Sequence, residues 1–373
     1  MEHALTVPFA ALLRGEDVPW RAFGMEVRQF LDTCRAEGLS GLVHHRLQDS
    51  PSGEDWPRAI GPSLIDEIRQ RTATELVRHR ELQGLLTTLA SAGVRPLLLK
   101  GAALAYTHYP APSARPRIDT DLLIQHRDAE TTRRILQDFG YHEPNFCGGE
   151  LFCQFPMHRT DRFGVEHKLD VHWKVSTQPV FAHVLTYDEM AAEASSVSAL
   201  GPDAHAPSPV HGLLLACVHP TMHHRNVESL LWLYDVHLLA HGLSDDEWRR
   251  FVRLALVKQM AAICAHHLDA ARRWLGTRIP EPLFASLSAT SSEPSAAYLA
   301  PGRRWSDDLL SSVRGLPEWR ARLRYLREVT FPPARYMRTA YELPHSRLAA
   351  VLLPLVYAHR IVAGGWKVLA RQK

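Results

Sequence analysis

Lysine is what this chain nearly lacks: six stand against 37 arginines in 373 residues, which makes the position of each one worth following. A surplus of one charge sign is missing too. With 43 basic and 40 acidic side chains the formal charge is +3, too balanced for a nucleic-acid backbone to be the default partner. Cysteine is sparse: Cys34, Cys147, Cys153, Cys217 and Cys264 form no CxxC pair, and five scattered thiols exclude a disulfide framework and fit small buried hydrophobes in a reducing cytoplasm. No long apolar run occurs either. The longest, residues 348–358, is about half a membrane span and contains Pro354, so no transmembrane segment is expected. Residues 1–20, with Glu2, Glu16 and Asp17, lack the basic and long-apolar pattern of a secretory signal.

What remains is ordinary globular usage, 46% hydrophobic and 22% charged, in a chain longer than one core usually organises. The expected division is a helical region at 1–93, an α/β core at 94–200, a helical domain at 201–300 and an Arg-rich helical segment at 301–373. A periodic segment from Met25 to Glu37 stops at Gly38, a Pro/Ser/Gly/Asp-rich loop runs from Gln48 to Ser63, and a long helix spans about Leu64 to Ala92, closed by Gly93. The pattern changes at Arg95. Pro96 to Leu99 suit a buried strand, Lys100 and Gly101 a turn, and Ala102 to Tyr109 a helix that Pro110 stops. Ile118 to Ile124 reads as a strand, Asp128 to Asp138 as a helix capped by Gly140, and Val165 to Val175 as a strand with alternating faces. After Pro209 the pattern is helical again, with a capping box at Ser244 and Glu247 and a linker or exposed loop at 286–307. The fold class is α+β: a small mixed sheet embedded in a mostly helical chain.

The chemistry gathers in that sheet. Asp119 and Asp121, one residue apart on an apolar strand, project from one face, where two like charges repel unless a cation bridges them. Hard oxygen ligands at that spacing suit Mg²⁺ together with substrate phosphates. Upstream, Lys100, Gly101 and Ala102 place free backbone N–H groups and one ammonium at a helix N-terminus, a site for phosphate. Asp170 on the later strand adds a third carboxylate, with Lys168 and His172 on its face. Three strand-borne acids beside a phosphate turn are what two-metal phosphoryl or nucleotidyl transfer requires.

Residues 97–124, LLLKGAALAYTHYPAPSARPRIDTDLLI, and 168–173, KLDVHW, resemble the uncharacterised bacterial nucleotidyltransferases related to the polymerase β superfamily. The resemblance extends through His219, His223 and Asp235 to residues 331–337, with its strong motifs in the middle third. It implies a minimal nucleotidyltransferase fold in which Asp119, Asp121 and Asp170 are catalytic and hold Mg²⁺ or Mn²⁺. An NTP, ATP included, would lie with its phosphates on Lys100, Gly101, Ala102, Arg115 and the weaker candidate Arg117. His172, His219, His223 and Asp235 would line the substrate pocket. Two departures stand out: the middle residue of the acid pair is Thr120, and the superfamily's Gly-Ser turn is Gly101 and Ala102, one phosphate-binding hydroxyl fewer.

The implied reaction moves an NMP to a hydroxyl or amine of a small-molecule, peptide or protein acceptor. The acceptor loses its proton to Asp170 or to a hydroxide on the metal, and pyrophosphate leaves. Asn at both 119 and 121 should abolish transfer with little loss of folding. Two other classes stay open: a glycosyltransferase using a nucleotide sugar through Asp-x-Asp, and a silent nucleotide-binding or regulatory protein. The association of such proteins with biosynthetic gene clusters implies a tailoring role. His219 and His223 have the i, i+4 spacing of metal ligands, but no Glu follows His219 and structural or pocket histidines account for them more simply. The arginines of the last segment, Arg322, Arg324, Arg327, Arg335 and Arg338 among Tyr325, Tyr336 and Trp366, read as a solvated face, and residues 348–358 as a buried closing helix.

Overall fold

The α/β pattern beginning at Pro96 forms one mixed sheet of six short strands. The computed structural model describes residues 3–48, 55–144, 153–289, 293–316, 318–343 and 347–369. Four helices come first: α1 (His3–Leu13), α2 (Val27–Ala36), α3 (Ser40–Gln48) and the long α4 (Ile60–Ser91). Gly93 follows α4 at φ +80°, the left-handed conformation that ends a helix without a Cβ clash. The chain then forms β1 (Leu97–Leu98), α5 (Lys100–Thr107), β2 (Thr120–Leu123), α6 (Ala129–Asp138), β3 (Gln154–Thr160) and β4 (Glu166–His172). A short α7 (Tyr187–Ala192) leads to β5 (Ser195–Ser196) and β6 (His205–Ala206).

The strand order is β3-β4-β2-β1-β6-β5, with β2 parallel to β4 and β1 antiparallel to β2. Period-two alternation gives the sheet two dry faces. Leu122, Ile124, Leu169 and Val171 pack with Leu85, Leu86 and Leu89 of α4 and Leu136 of α6. Each fully buried leucine contributes ~1.5–3 kcal/mol. Leu97, Leu99 and Leu123 join a larger core that also takes in the first three helices and the helical half.

That half contains α8 (Pro209–His224), α9 (Leu230–Gly242), α10 (Asp245–Val257), α11 (Ala261–Leu275) and α12 (Glu281–Ser288). Pro209 is the first helical residue of α8, behind Ser208, whose hydroxyl accepts from the His211 N–H, and Ser244 with Glu247 forms the expected capping box on α10. The last helices are α13 (Trp305–Gly315), α14 (Trp319–Thr330), α15 (Ala334–Ala340) and α16 (Arg347–Leu369).

Several expectations change. The strand β3 is an addition to the expected elements; Phe155 and Met157 are its buried positions, and Pro156 between them masks the pattern. Strand β2 starts at Thr120, so Ile118, 76% exposed, and Asp119 precede it. Pro294–Leu299 is not an exposed loop: it forms a 3₁₀ turn in which Ser295 and Tyr298 are buried. The described side chains of α16 are not those of a buried helix, since Leu355 is 66% and Val362 71% exposed. Residues 49–54 of the first loop and Cys147 lie outside the described residues, as do the side chains of Arg335 and Trp366.

Candidate active site

The parallel pairing of β2 with β4 sets Asp121 directly against Asp170, and Leu123 against His172. In adjacent strands those partners share a face. The face is the one toward the helical half, and on it a carboxylate oxygen of Asp121, one of Asp170 and a ring nitrogen of His172 lie within 4.8 Å of one another. Two carboxylates and an imidazole are a donor set that can hold a divalent cation. Asp119, just before the strand, is outside that trio but close enough for its charge to be felt by it.

Asp121 is 7% exposed and has two partners. Lys100 Nζ donates to its Oδ1 at 2.7 Å, and His172 Nε2 donates to the same oxygen at 2.9 Å. Burial alone would push the Asp121 carboxyl up; Lys100 and the His172 hydrogen bond outweigh it and hold the group well below the usual carboxylate range. The neighbouring acids go the other way. Burial, then the charges of Asp121 and Asp170, raise Asp119, and burial likewise raises Asp170. The expectation that both acids of the pair are unsupported without a cation therefore fails for Asp121. His172 Nδ1 is buried with no hydrogen-bond partner.

Lys100 opens α5 with φ +51°, a left-handed conformation that costs a non-glycine residue roughly 1–2 kcal/mol. Its ion pair with Asp121 helps over-determine that geometry. Gly101 and Ala102 follow, both buried in the first turn. A Cβ at Gly101 would stand 3.4 Å from the guanidinium of Arg115, in ordinary contact with it. Thr120 is on the other side of the sheet, lining a small crevice with Leu82 and Leu169.

The two arginines expected at phosphate are engaged elsewhere. Arg115 Nε donates to Asp235 Oδ1 at 2.8 Å and its Nη2 to Oδ2 at 2.6 Å, while Tyr109 donates to the same Asp235 Oδ1 at 2.7 Å. Both charged side chains are 8% exposed, and the pair ties the loop after α5 to α9. Burial would lower the Arg115 pKa, but Asp235 raises it above its ordinary value. Arg117 Nη1 reaches both oxygens of Glu75 on α4, each at 2.8 Å. These pairings span 120 and 42 residues, and no local pattern could have announced them.

His219 and His223 lie one turn apart on α8 with ring centroids 5.3 Å apart, and His224 stacks on Trp232 of α9 at 4.2 Å. Burial, then the Lys100 charge, lowers the His219 pKa well below its ordinary value, so the ring is neutral at pH 7. Its Nδ1 is buried without a partner. A cavity of about 110 Å³ lies between α5, α8 and α9, bordered by Lys100, His219, Trp232 and Asp235. The sheet thus brings Asp121, Asp170, His172 and Lys100 together, with His219 along the helical wall.

Among the described residues no helix is long and apolar enough to cross a membrane. No curated protein matches the chain closely enough to count as a relative. A family model described as an uncharacterised nucleotidyltransferase matches residues 24–276, a stretch that contains the acids, the Lys100 turn and the helical wall, and the chain belongs to that family.

Proposed function

We propose that the protein transfers a nucleoside monophosphate from an NTP to a hydroxyl or amine of an acceptor and releases pyrophosphate. The observation that carries this reading is the register of Asp121 against Asp170 beside His172, with Lys100 at the adjoining helix start, in a chain of a nucleotidyltransferase family. Asp121, Asp170 and His172, with Asp119 beside them, would hold Mg²⁺ or Mn²⁺, which when bound supplies positive charge to the phosphate oxygens.

Each side chain has a task in this scheme. Lys100 exchanges Asp121 for a phosphate, neutralising charge that builds up as the bond to the leaving group lengthens. The N–H groups of Gly101 and Ala102 bind phosphate oxygen at the start of α5. The acceptor oxygen or nitrogen bonds to the α-phosphorus, the bond from that phosphorus to the bridging oxygen breaks, and pyrophosphate leaves with the electron pair. Asp170, raised by burial and half-exposed, takes the acceptor's proton. Arg115 acts through the turn, packing against Gly101 while Asp235 fixes it.

The test is incubation with each α-labelled NTP and Mg²⁺ or Mn²⁺ in cell extract, with mass spectrometry to find what carries the nucleotide. Labelled product that disappears in Asp121→Asn is expected. No pyrophosphate from any of the four NTPs, in protein that still binds metal, would refute the reading, and turnover of a nucleotide sugar instead would reassign the site.

A further inference from the structure

The cavity beside the acids is mostly apolar, with Thr107, His108 and Ser195 among its polar lining. Its walls are Ala103 and Leu104 from α5, Leu215 and Ala216 from α8, and Trp232 and Leu239 from α9. At the end nearest the acids stand Lys100, whose ammonium holds Asp121, and His219, whose Nδ1 is buried without a partner. A buried ring nitrogen left unsatisfied costs about 1–3 kcal/mol and marks a place where a ligand group can supply the missing bond. A second handle follows from the sequence: Pro220 has no N–H to give to the Ala216 carbonyl four residues back, so α8 lacks that helical bond on the turn facing the cavity. The other polar pair at the rim, Arg115 and Asp235, is already engaged with itself and with Tyr109.

From this arrangement we infer that the cavity is the acceptor site, and that the acceptor is an aliphatic alcohol or amine whose apolar end fills the space between α5, α8 and α9 while its O–H or N–H meets His219 beside Lys100. The inference rests on the transfer reading above and adds the substrate class. Size sharpens it. A cavity of ~150 Å³ accepts benzene, so 110 Å³ accommodates about four or five carbons, the bulk of a branched aliphatic side chain. A nucleobase is larger than benzene and exceeds this space, and the walls are mostly leucine, alanine and proline, with Thr107, His108 and Ser195 as further polar side chains.

The experiment uses the full chain and a series of straight-chain primary alcohols and amines of two to eight carbons, with binding followed by ligand-observed NMR. In parallel, affinity for a non-hydrolysable ATP analogue with Mn²⁺ is measured by calorimetry. The wild type should bind best at about four or five carbons. Ala216→Leu, which fills the cavity, should weaken the preferred probes by roughly tenfold or more, and Leu239→Val, which enlarges it, should move the optimum to a longer chain. The ATP analogue should bind both variants like the wild type. A longer optimum in one variant, and intact binding of the analogue in both, cannot come from misfolding. The inference is overturned if no chain-length optimum exists, if neither variant moves it, or if Ala216→Leu weakens the ATP analogue instead. Failure of the wild type to bind the analogue at all would count against the transfer reading while leaving the alkyl-chain result to stand or fall alone.

Discussion

Replacing Asp119 and Asp121 with Asn is one chemical change made two residues apart, and the geometry requires different outcomes. Asp121 accepts from an ammonium at 2.7 Å and an imidazole at 2.9 Å while 7% exposed. Hydrogen bonds to charged groups contribute about 1.5–3 kcal/mol, and an Asn retains one acceptor oxygen without the charge, so Asp121→Asn should destabilise by about 2 kcal/mol. Asp119 is in the reverse position, because burial and the charges of Asp121 and Asp170 all disfavour its ionised form. Removing that charge should be neutral or stabilising by up to about 1 kcal/mol. Urea unfolding at pH 7 in the presence of a chelator measures both. The pH dependence supplies a second check. The depressed Asp121 contributes stability that is present above its unfolded pKa near 4 and lost as pH falls, so Asp121→Asn should flatten the acid limb; the raised Asp119 contributes with opposite sign. Equal destabilisation by the two variants, or a larger loss for Asp119→Asn, would refute the electrostatic account.

The buried pair at Arg115 and Asp235 leads to a further expectation: Asp235→Ala should cost about 3–5 kcal/mol by stranding a guanidinium, and Asp235→Leu combined with Arg115→Met should recover most of it. A double variant no more stable than the single one in urea would contradict this. Burial, then His266, lowers His267 to about 3, so the ring is neutral in the fold and stability should fall as pH drops from about 6.5 toward 3, by up to ~1.4 kcal/mol per pH unit. His267→Gln should lessen that slope. Cys34, Cys153, Cys217 and Cys264 are buried, and burial pushes the Cys153 thiol up to about 11. None of the four should react with a disulfide reagent at pH 8 until the chain unfolds, and rapid modification of any of them in the native state, read by peptide mass, would contradict the packing.

The order strand, turn, helix and acid-bearing strand was legible because each element has a local signature: the apolar run 97–99, the Lys100 and Gly101 break, the Pro110 stop and the alternation through Asp170. Helix ends were equally readable, since Pro209, Ser244 and Gly93 act within one turn of themselves. What escaped was pairing at a distance. Arg115 carries the same charge whether it meets a phosphate or Asp235, and only the packing of α9 decides between them. Lys100 lies where α5 begins, at the break that the sequence marks, yet its partner Asp121 depends on the antiparallel register of β1 with β2. The strand β3 was hidden by Pro156, and the exposure of α16 follows from which helices cover it rather than from its own composition.

The ion pair between Lys100 and Asp121 also makes that ammonium a shared resource. A cation arriving at Asp121 must evict it, and an anion arriving at the head of α5 draws it away. Each event therefore removes part of the other's cost, and the two ligands would bind with mutual reinforcement, the same factor applying in either order of addition. The scarcity of lysine takes on a meaning here: a planar guanidinium held by two hydrogen bonds to one carboxylate, like that of Arg115 on Asp235, would be a poor exchangeable occupant, whereas a compact ammonium on a flexible stem can change partners.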